Sequence, residues 1–374
     1  MAQIALSISF FASVILTILS KVQGPKRDDL GAVQSVHAAP TSRFGGVAVT
    51  LGLLGGALLV PVVQNKLLLE IALCALPVFV AGLAEDAGWG LAPLWRLMAT
   101  ICSSLLMILV FGTVISRLGF APFDGIFAQP LPAVLLTALV LTGVSQAFNL
   151  LDGLHGLCGF ACLITAGALV LIGQKSGQDQ AVQVLWCVMA AVGGFLLVNF
   201  PRGFLFLGDA GAYVIGFLLA CIAVEMLHLR PDLSPWAVVL VFFWPLADMV
   251  FAVARRLARR KSPLRADKMH FHHVVLRSLE ILVLGKKRGE LGNPLATMIL
   301  VPMMAAPATL GVLFWNQNGK AGALVGLAAI VFVLAYGSLL ATAKRRSLGR
   351  FSREATGWRR HPLKQKRKLG RFSL

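Results

Sequence analysis

Runs of about 20 apolar residues recur along almost the whole chain, and this constrains the fold more than anything else in the sequence. Hydrocarbon offers no water to satisfy backbone N–H and C=O groups, so a spanning segment must be a helix or part of a closed barrel. No segment alternates apolar and polar residues with the period of two that barrel strands need. Helices remain. Eleven candidate spans lie near 2–20, 46–63, 67–84, 94–111, 131–148, 156–173, 181–200, 211–229, 235–254, 293–314 and 321–343. The stretch 112–132 has room for a partial interfacial helix. A mean hydropathy of +0.81 excludes a string of soluble domains. The first span lacks a basic n-region and a small-residue cleavage site, so it is expected to be retained rather than cleaved as a signal peptide.

Lys and Arg collect on the cytoplasmic side of membrane helices. Only five of the 34, Lys66, Arg117, Lys175, Arg230 and Lys320, fall in one set of alternate gaps. The other 29 lie after spans 1, 3, 5, 7 and 9, counting Arg96, or in the C-terminal tail. The expectation is an all-α polytopic membrane protein of about eleven transmembrane helices, N-terminus outside and C-terminus cytoplasmic. One domain, residues 1–343, carries polar cytoplasmic loops at 21–45, 85–96, 149–156, 201–211 and 255–292. Segment 344–371 holds twelve Lys and Arg against one acid, Glu354. Residues 344–374 therefore read as a disordered basic tail drawn to anionic membrane lipid. The net charge of +18 does not imply nucleic acid, because the basic residues concentrate beside the spans. The six cysteines form no CxxC pair and read as packing residues. Gly52, Gly55 and Gly56 invite close helix approach. No internal repeat or inverted symmetry is visible, and oligomeric state is unmarked, a dimer being compatible with the sequence.

The chemically useful side chains share one face. Glu85, Asp86, Asn149, Asp152, Asp209, Asp267, His270, His272 and His273 all sit in the same alternate gaps. Adjacent acids such as Glu85 and Asp86 repel unless a cation lies near, and Arg96 follows them. Asn149 and Asp152 are three apart, so a helical turn aims both the same way, with Gly153 beside them. Asp209 lies between Gly208 and Gly211 at a helix start, where it either caps the helix or holds a hard cation. Three histidines in four residues sit close to Arg265 and Lys268. That spacing fits no zinc motif and suits donors to phosphate oxygens. Carboxylates for a cation beside donors for phosphate are what phosphoryl transfer from a nucleotide uses.

In order, the motifs are His37, Pro40 and Arg43-Phe44-Gly45-Gly46, then Gly82-Leu83-Ala84-Glu85-Asp86 with Arg96. Next come Phe148-Asn149-Leu150-Leu151-Asp152-Gly153 and Phe206-Leu207-Gly208-Asp209-Ala210-Gly211. Ser262-Pro263 and Asp267-Lys268-Met269-His270-Phe271-His272-His273 close the set. This series, over about residues 21–290, resembles the polyprenyl-phosphate N-acetylhexosamine-1-phosphate transferases of glycosyltransferase family 4. It looks closer to the WecA/TagO branch than to MraY. The resemblance implies a Mg²⁺-dependent enzyme, Mn²⁺ being the substitute cation. It would use undecaprenyl phosphate and a UDP-N-acetylhexosamine, releasing UMP. It also implies Asp209 as principal metal ligand, with Asp86 a second ligand or the activator of the lipid phosphate. Asn149 and Asp152 become nucleotide or metal-site contacts. His270, His272, His273, Arg96 and His37 would neutralise the diphosphate, with Arg265 and Lys268 beside them. Two departures stand out: Glu85 replaces the usual aspartate, and Gln34-Ser35-Val36 replaces basic residues. A transporter using Glu70, Glu225 and Asp248 is the alternative, but transport would place the dense acids near the midplane rather than at one surface.

The Lys/Arg asymmetry predicts that a cysteine at Gly349 labels from the cytoplasm and one at Gly177 from outside. Labelling of both from one side would sink the alternate-gap reading.

Overall fold

The computed structural model describes residues 1–22, 41–59, 62–262, 267, 269–284 and 289–358. The described residues form helices and no strand. The bundle is built around α10 (Gly208–Leu229), in which every residue from Ala210 to Val224 is buried. A helix that is apolar on every side belongs in the interior, and this one is walled in all round. Its neighbours are α2 (Gly45–Leu58), α4 (Leu76–Asp86) and α7 (Pro130–Leu151). Further out, α1 (Ala2–Val22) lies on α2 and on α9 (Asp179–Asn199). Between α9 and α14 (Gly289–Leu313) runs α8 (Leu157–Ser176). α5 (Pro93–Phe111) covers α4 and α7.

Two spans are broken. α3 (Val62–Cys74) meets α4 at a 55° bend, with Pro77 in the first turn of α4. Proline cannot continue the hydrogen-bond ladder, and the neighbouring Val78 amide instead donates to Ser103 Oγ of α5 at 3.2 Å. α11 (Pro235–Val241) meets α12 (Phe243–Ala258) at 82°. This sharp turn carries the second half of the span toward α13 (Phe271–Leu279), which a π turn at Glu280–Leu284 extends. α15 (Asn318–Trp358) packs on α11 and α13.

Among the described residues, eight helices are long and apolar enough to cross a membrane, or ten if each bent pair is one span. The protein is a multi-pass membrane protein. The expected span at 46–63 is met by α2, whose 14 residues cover about 21 Å at 1.5 Å each. That falls short of a hydrocarbon core of about 30 Å, so the expected eleven is not reached by length. The interfacial helix expected within 112–132 is α6 (Ala121–Phe127), which buries no residue and exposes Phe123 and Ile126. The expected disordered tail does not begin at 344. α15 continues as helix to Trp358, because no proline interrupts the sequence before Pro362. Residues 359–374 lie outside the described residues. All six cysteines are free.

Of the five basic residues in the sparse gaps, three bind helix C-terminal carbonyls. Lys175 donates to Val312 O at 3.2 Å, Arg117 to Arg230 O and Leu233 O, and Arg230 to Ser176 O. A cation there complements the negative end of the helix dipole.

The small face of α1, Ala5, Ser9, Ser13 and Thr17, repeats every four residues and is buried. α2 approaches it through glycine. A Cβ on Gly52 would lie 2.7 Å from the Ala5 carbonyl oxygen, whereas one on Gly55 would meet only the rotatable Cδ1 tip of Ile8. Overpacking costs about 1–3 kcal/mol when the backbone cannot yield. Gly52→Ala is therefore expected to lower the thermal unfolding midpoint in detergent clearly more than Gly55→Ala. Equal losses would remove the distinction.

Candidate active site

The N-terminus of α10 is where the polar loops meet. The segment Ser42–Gly46 lies alongside Phe206–Leu207. Phe206 N donates to Ser42 O at 2.9 Å, Gly45 N to Phe206 O at 2.8 Å and Gly46 N to Leu207 O at 2.7 Å. Gly208 has φ of +75°, and a Cβ there would press on the Arg43 carbonyl and lie 2.6 Å from Asp86 Oδ2. Only glycine suits both constraints. Just beneath, Gly82 of α4 sits against Ala210, a Cβ on it lying 2.5 Å from Ala210 Cα. The motif glycines thus bring three helix ends together.

Two acids then complete the helix start. The first amides of a helix have no partner within it and need one when buried. Asp86, the last residue of α4, accepts from Asp209 N and Ala210 N, both at 2.9 Å. Asp152, which ends α7, accepts from Gly208 N at 3.1 Å. With three consecutive amides satisfied from other helices, Asp209's own side chain is left to pair with Arg96 of α5. Tyr213, one turn further along α10, lies against the Asn149 side chain and close to Asp209 and Arg96. Glu85 Oε2 and Arg96 Nε are buried without hydrogen-bond partners. Burial and the charge of Asp209 push the Asp152 carboxyl up to about 7, against the pull of the Gly208 amide and Arg43.

The histidine loop reaches the same place from α12. Asp248, buried in α12, accepts from Phe271 N at 2.9 Å. It holds His272 Nδ1 at 3.1 Å and His270 Nδ1 at 3.4 Å. His272 is fully buried, and a Cβ on Gly153 would lie 2.8 Å from its Nε2. Burial lowers the pKa of His272, and burial with the neighbouring imidazoles takes His273 down to about 3. Both rings are neutral near pH 7. Asp267 does not join the acids at α10. It pairs with Arg255 and lies 3.4 Å from Arg256 Nε, and that contact with Arg255 outweighs burial to hold its carboxyl below the ordinary range. Tyr336 of α15 donates to Met269 O at 3.0 Å and clamps the loop from outside.

Of the residues expected from sequence, Glu85, Asp86, Arg96, Asn149, Asp152 and Asp209 converge on one helix end. His272 and His273 reach it through Gly153, with His270 stacked on His272. His37, Arg265 and Lys268 lie outside the described residues, as do Gln34-Ser35-Val36. Sequence reasoning missed Tyr213, one of only two tyrosines in the chain, and named Asp248 only in the transporter alternative. Asp248 was grouped with ion-pathway acids, yet the bend at Phe242 brings it to the histidines. Glu70 instead pairs with Lys66 at 3.7 Å, and Glu225 lies about four turns along α10 from Asp209. His155 ties the site to its surroundings, its amide donating to Asn293 Oδ1 at 2.7 Å and its carbonyl accepting from Thr297 at 2.8 Å. Among the described residues no three acid, thiol or imidazole groups converge closely enough to hold a metal unaided.

The sequence profile of glycosyl transferase family 4 matches residues 68–227. The chain is 31% identical over 283 residues to the decaprenyl-phosphate N-acetylglucosaminephosphotransferase of Mycobacterium tuberculosis, covering 66% of this chain and 69% of that protein. Its counterpart in Mycobacterium leprae is 30% identical over 72% of this chain and 74% of its own length. The undecaprenyl-phosphate alpha-N-acetylglucosaminyl 1-phosphate transferase of Yersinia pestis is 28% identical over 65% and 67% respectively.

The geometry separates the two central aspartates. Asp86→Asn turns an amide N–H toward a backbone N–H and leaves one donor of α10 unbonded, at a cost of about 1–3 kcal/mol. Asp209→Asn keeps the backbone bond to Asp86 and removes a charge that repels Asp86 and Asp152. Asp86→Asn is expected to lower the thermal midpoint and Asp209→Asn to leave it nearly unchanged. The reverse ranking in a melting experiment would refute the capping role of Asp86.

Proposed function

The chain belongs to glycosyl transferase family 4, and from that membership we propose that it transfers an N-acetylhexosamine 1-phosphate from a UDP-sugar to undecaprenyl phosphate. A phosphate oxygen of the lipid attacks the β-phosphorus, and the bond to the bridging oxygen breaks. UMP leaves with the bonding pair. The product is a lipid diphosphate sugar of the kind that begins a cell-envelope polysaccharide. The relatives' names make UDP-N-acetylglucosamine the first donor to try.

One observation carries this reading: three separate motif loops deliver Asp86 with Arg96, Asp152 and Asp209 to a single helix N-terminus. Such an end favours anions, and acids placed there favour a cation that an anion brings with it. The residues fit Mg²⁺, or Mn²⁺ in its place. Asp209 would hold it, with Asp86 through its remaining lone pairs, and the buried Glu85 Oε2 is a further unused acceptor. A set too sparse to bind metal alone suits a cation that takes the rest of its ligands from phosphate and water. The bound cation supplies charge neutralisation for the diphosphate. Arg96 contributes a permanent positive charge, while the rings of His272 and His273 are neutral, and His272 spends its one N–H on Asp248. Asn149 and Tyr213 line the approach along α10.

The Lys/Arg asymmetry supports a bacterial inner membrane orientation with this site facing the cytoplasm, where UDP-sugars are made. The basic C-terminal segment would then lie against anionic lipid.

The test is UMP release by purified protein with undecaprenyl phosphate and a panel of UDP-sugars. Release is expected with an N-acetylhexosamine donor, to stop with EDTA and to return with Mg²⁺. Asp209→Asn should lose at least about 10²-fold in rate, and Glu85→Asp should keep most of it. Glu225→Gln should stay active. No release with any donor, or a dead Glu225→Gln beside an active Asp209→Asn, would overturn the proposal.

A further inference from the structure

Asp248 is an acid buried to 3% exposure on the apolar face of α12, among Phe243, Trp244 and Ala252. An ionised carboxylate in such a place persists only when its lone pairs are engaged. Its hydrogen-bond partners are in the histidine loop, Phe271 N at 2.9 Å and His272 Nδ1 at 3.1 Å, with His270 Nδ1 nearby at 3.4 Å without a hydrogen bond. The bond to Phe271 N starts α13 where Asp248 stands, since His270 is its extended N-cap residue and offers no side-chain cap.

A carboxylate can only accept, so Nδ1 of His272 must carry the proton. Its Nε2 is then a bare lone pair. That atom is fully enclosed, has no hydrogen-bond partner and faces Gly153. Gly153 follows Asp152, which holds Gly208 N and thereby the start of α10. A continuous line of contacts therefore runs from α12 through His272 and the 152–153 turn to Asp209. Two other anchors hold the loop independently, Asp267 on Arg255 and Tyr336 on Met269 O, so Asp248 is not needed merely to keep the loop in place.

Resting on the transfer reading above, we infer that Asp248 is a positioning residue of the transfer site, setting the tautomer and orientation of His272 and, through that ring, the placement of the Asp152–Gly153 turn. It acts through other groups and touches no substrate. An ion-pathway acid would need an open route across the bundle; this one is sealed among aromatic rings and imidazoles.

The experiment uses full-length protein in detergent or nanodiscs, with UMP release and ring ¹⁵N shifts of His272 as readouts. Wild type should show the Nδ1–H tautomer. Asp248→Asn keeps an acceptor for Phe271 N but loses the charge. It should lower kcat at least tenfold, leave the donor KM within about twofold, and mix the His272 tautomers. Asp248→Glu should recover part of kcat. If Asp248→Asn fails to fold, Gly153→Ala decides the matter. Its Cβ would displace the His272 ring from the other side, and kcat should fall with the Asp248 contact intact. Wild-type kcat in folded Asp248→Asn, or in Gly153→Ala where the first does not fold, overturns the inference while leaving the transfer reading standing. Wild-type protein that releases no UMP overturns the transfer reading itself.

Discussion

The structure depends on satisfying the first amides of one helix that is buried along nearly its whole length. α10 begins inside the bundle, and its opening N–H groups have no water to turn to. Asp86 and Asp152 supply the acceptors from α4 and α7, so the bonds that finish the backbone also register three helices against each other. Three carboxylates gathered this closely repel one another. The positive end of α10 and the guanidinium of Arg96 offset part of that repulsion, and a cation with its anionic substrate would offset the rest. The capping that makes the fold possible thus leaves the site short of positive charge.

Much of this was legible in the sequence because bilayer physics is restrictive. Apolar run length identified the helices, and alternate gaps correctly grouped Glu85, Asp86, Asn149, Asp152 and Asp209. The glycines were harder. Gly82, Gly46 and Gly211 look like loop flexibility in one dimension, yet each is needed because another backbone passes where a Cβ would be. Proximity of that kind is invisible without the partner helix. The shortness of α2 escaped for a related reason: hydropathy shows which residues tolerate lipid, and it cannot show where a helix stops. The role of Asp86 was only half visible. Its sequence position suggests a ligand, and only the fold shows both of its oxygens committed to backbone amides.

Asp248 shows how a broken span misleads a linear reading. Counted along an unbroken helix it falls near the middle of the membrane, where an acid suggests transport. The 82° bend between α11 and α12 changes its neighbours, setting it against Phe271 and His272. A proline just past the break, Pro245, was the available signal, since it cannot continue the ladder of the preceding turn. The histidines carry a similar lesson. As a string of letters they look like three cations; once buried beside one another, His272 and His273 are neutral rings.

The two ends of α10 are finished with opposite chemistry, which fixes the helix axis at both membrane faces. Acids hold the amides at its start, and Arg117 holds the carbonyls of Arg230 and Leu233 just beyond its end. α8 and α14 finish on the same side, and their terminal carbonyls are met by Arg230 and Lys175. Three of the five basic residues that depart from the charge asymmetry are therefore accounted for locally, by helix ends that need cations. What remains of the asymmetry lies on the acid-capped side, around a site whose own net charge is negative. Basic loops beside an acidic cluster favour a phosphorylated substrate approaching from the water or the lipid surface, and a cation accompanying it would meet carboxylates there.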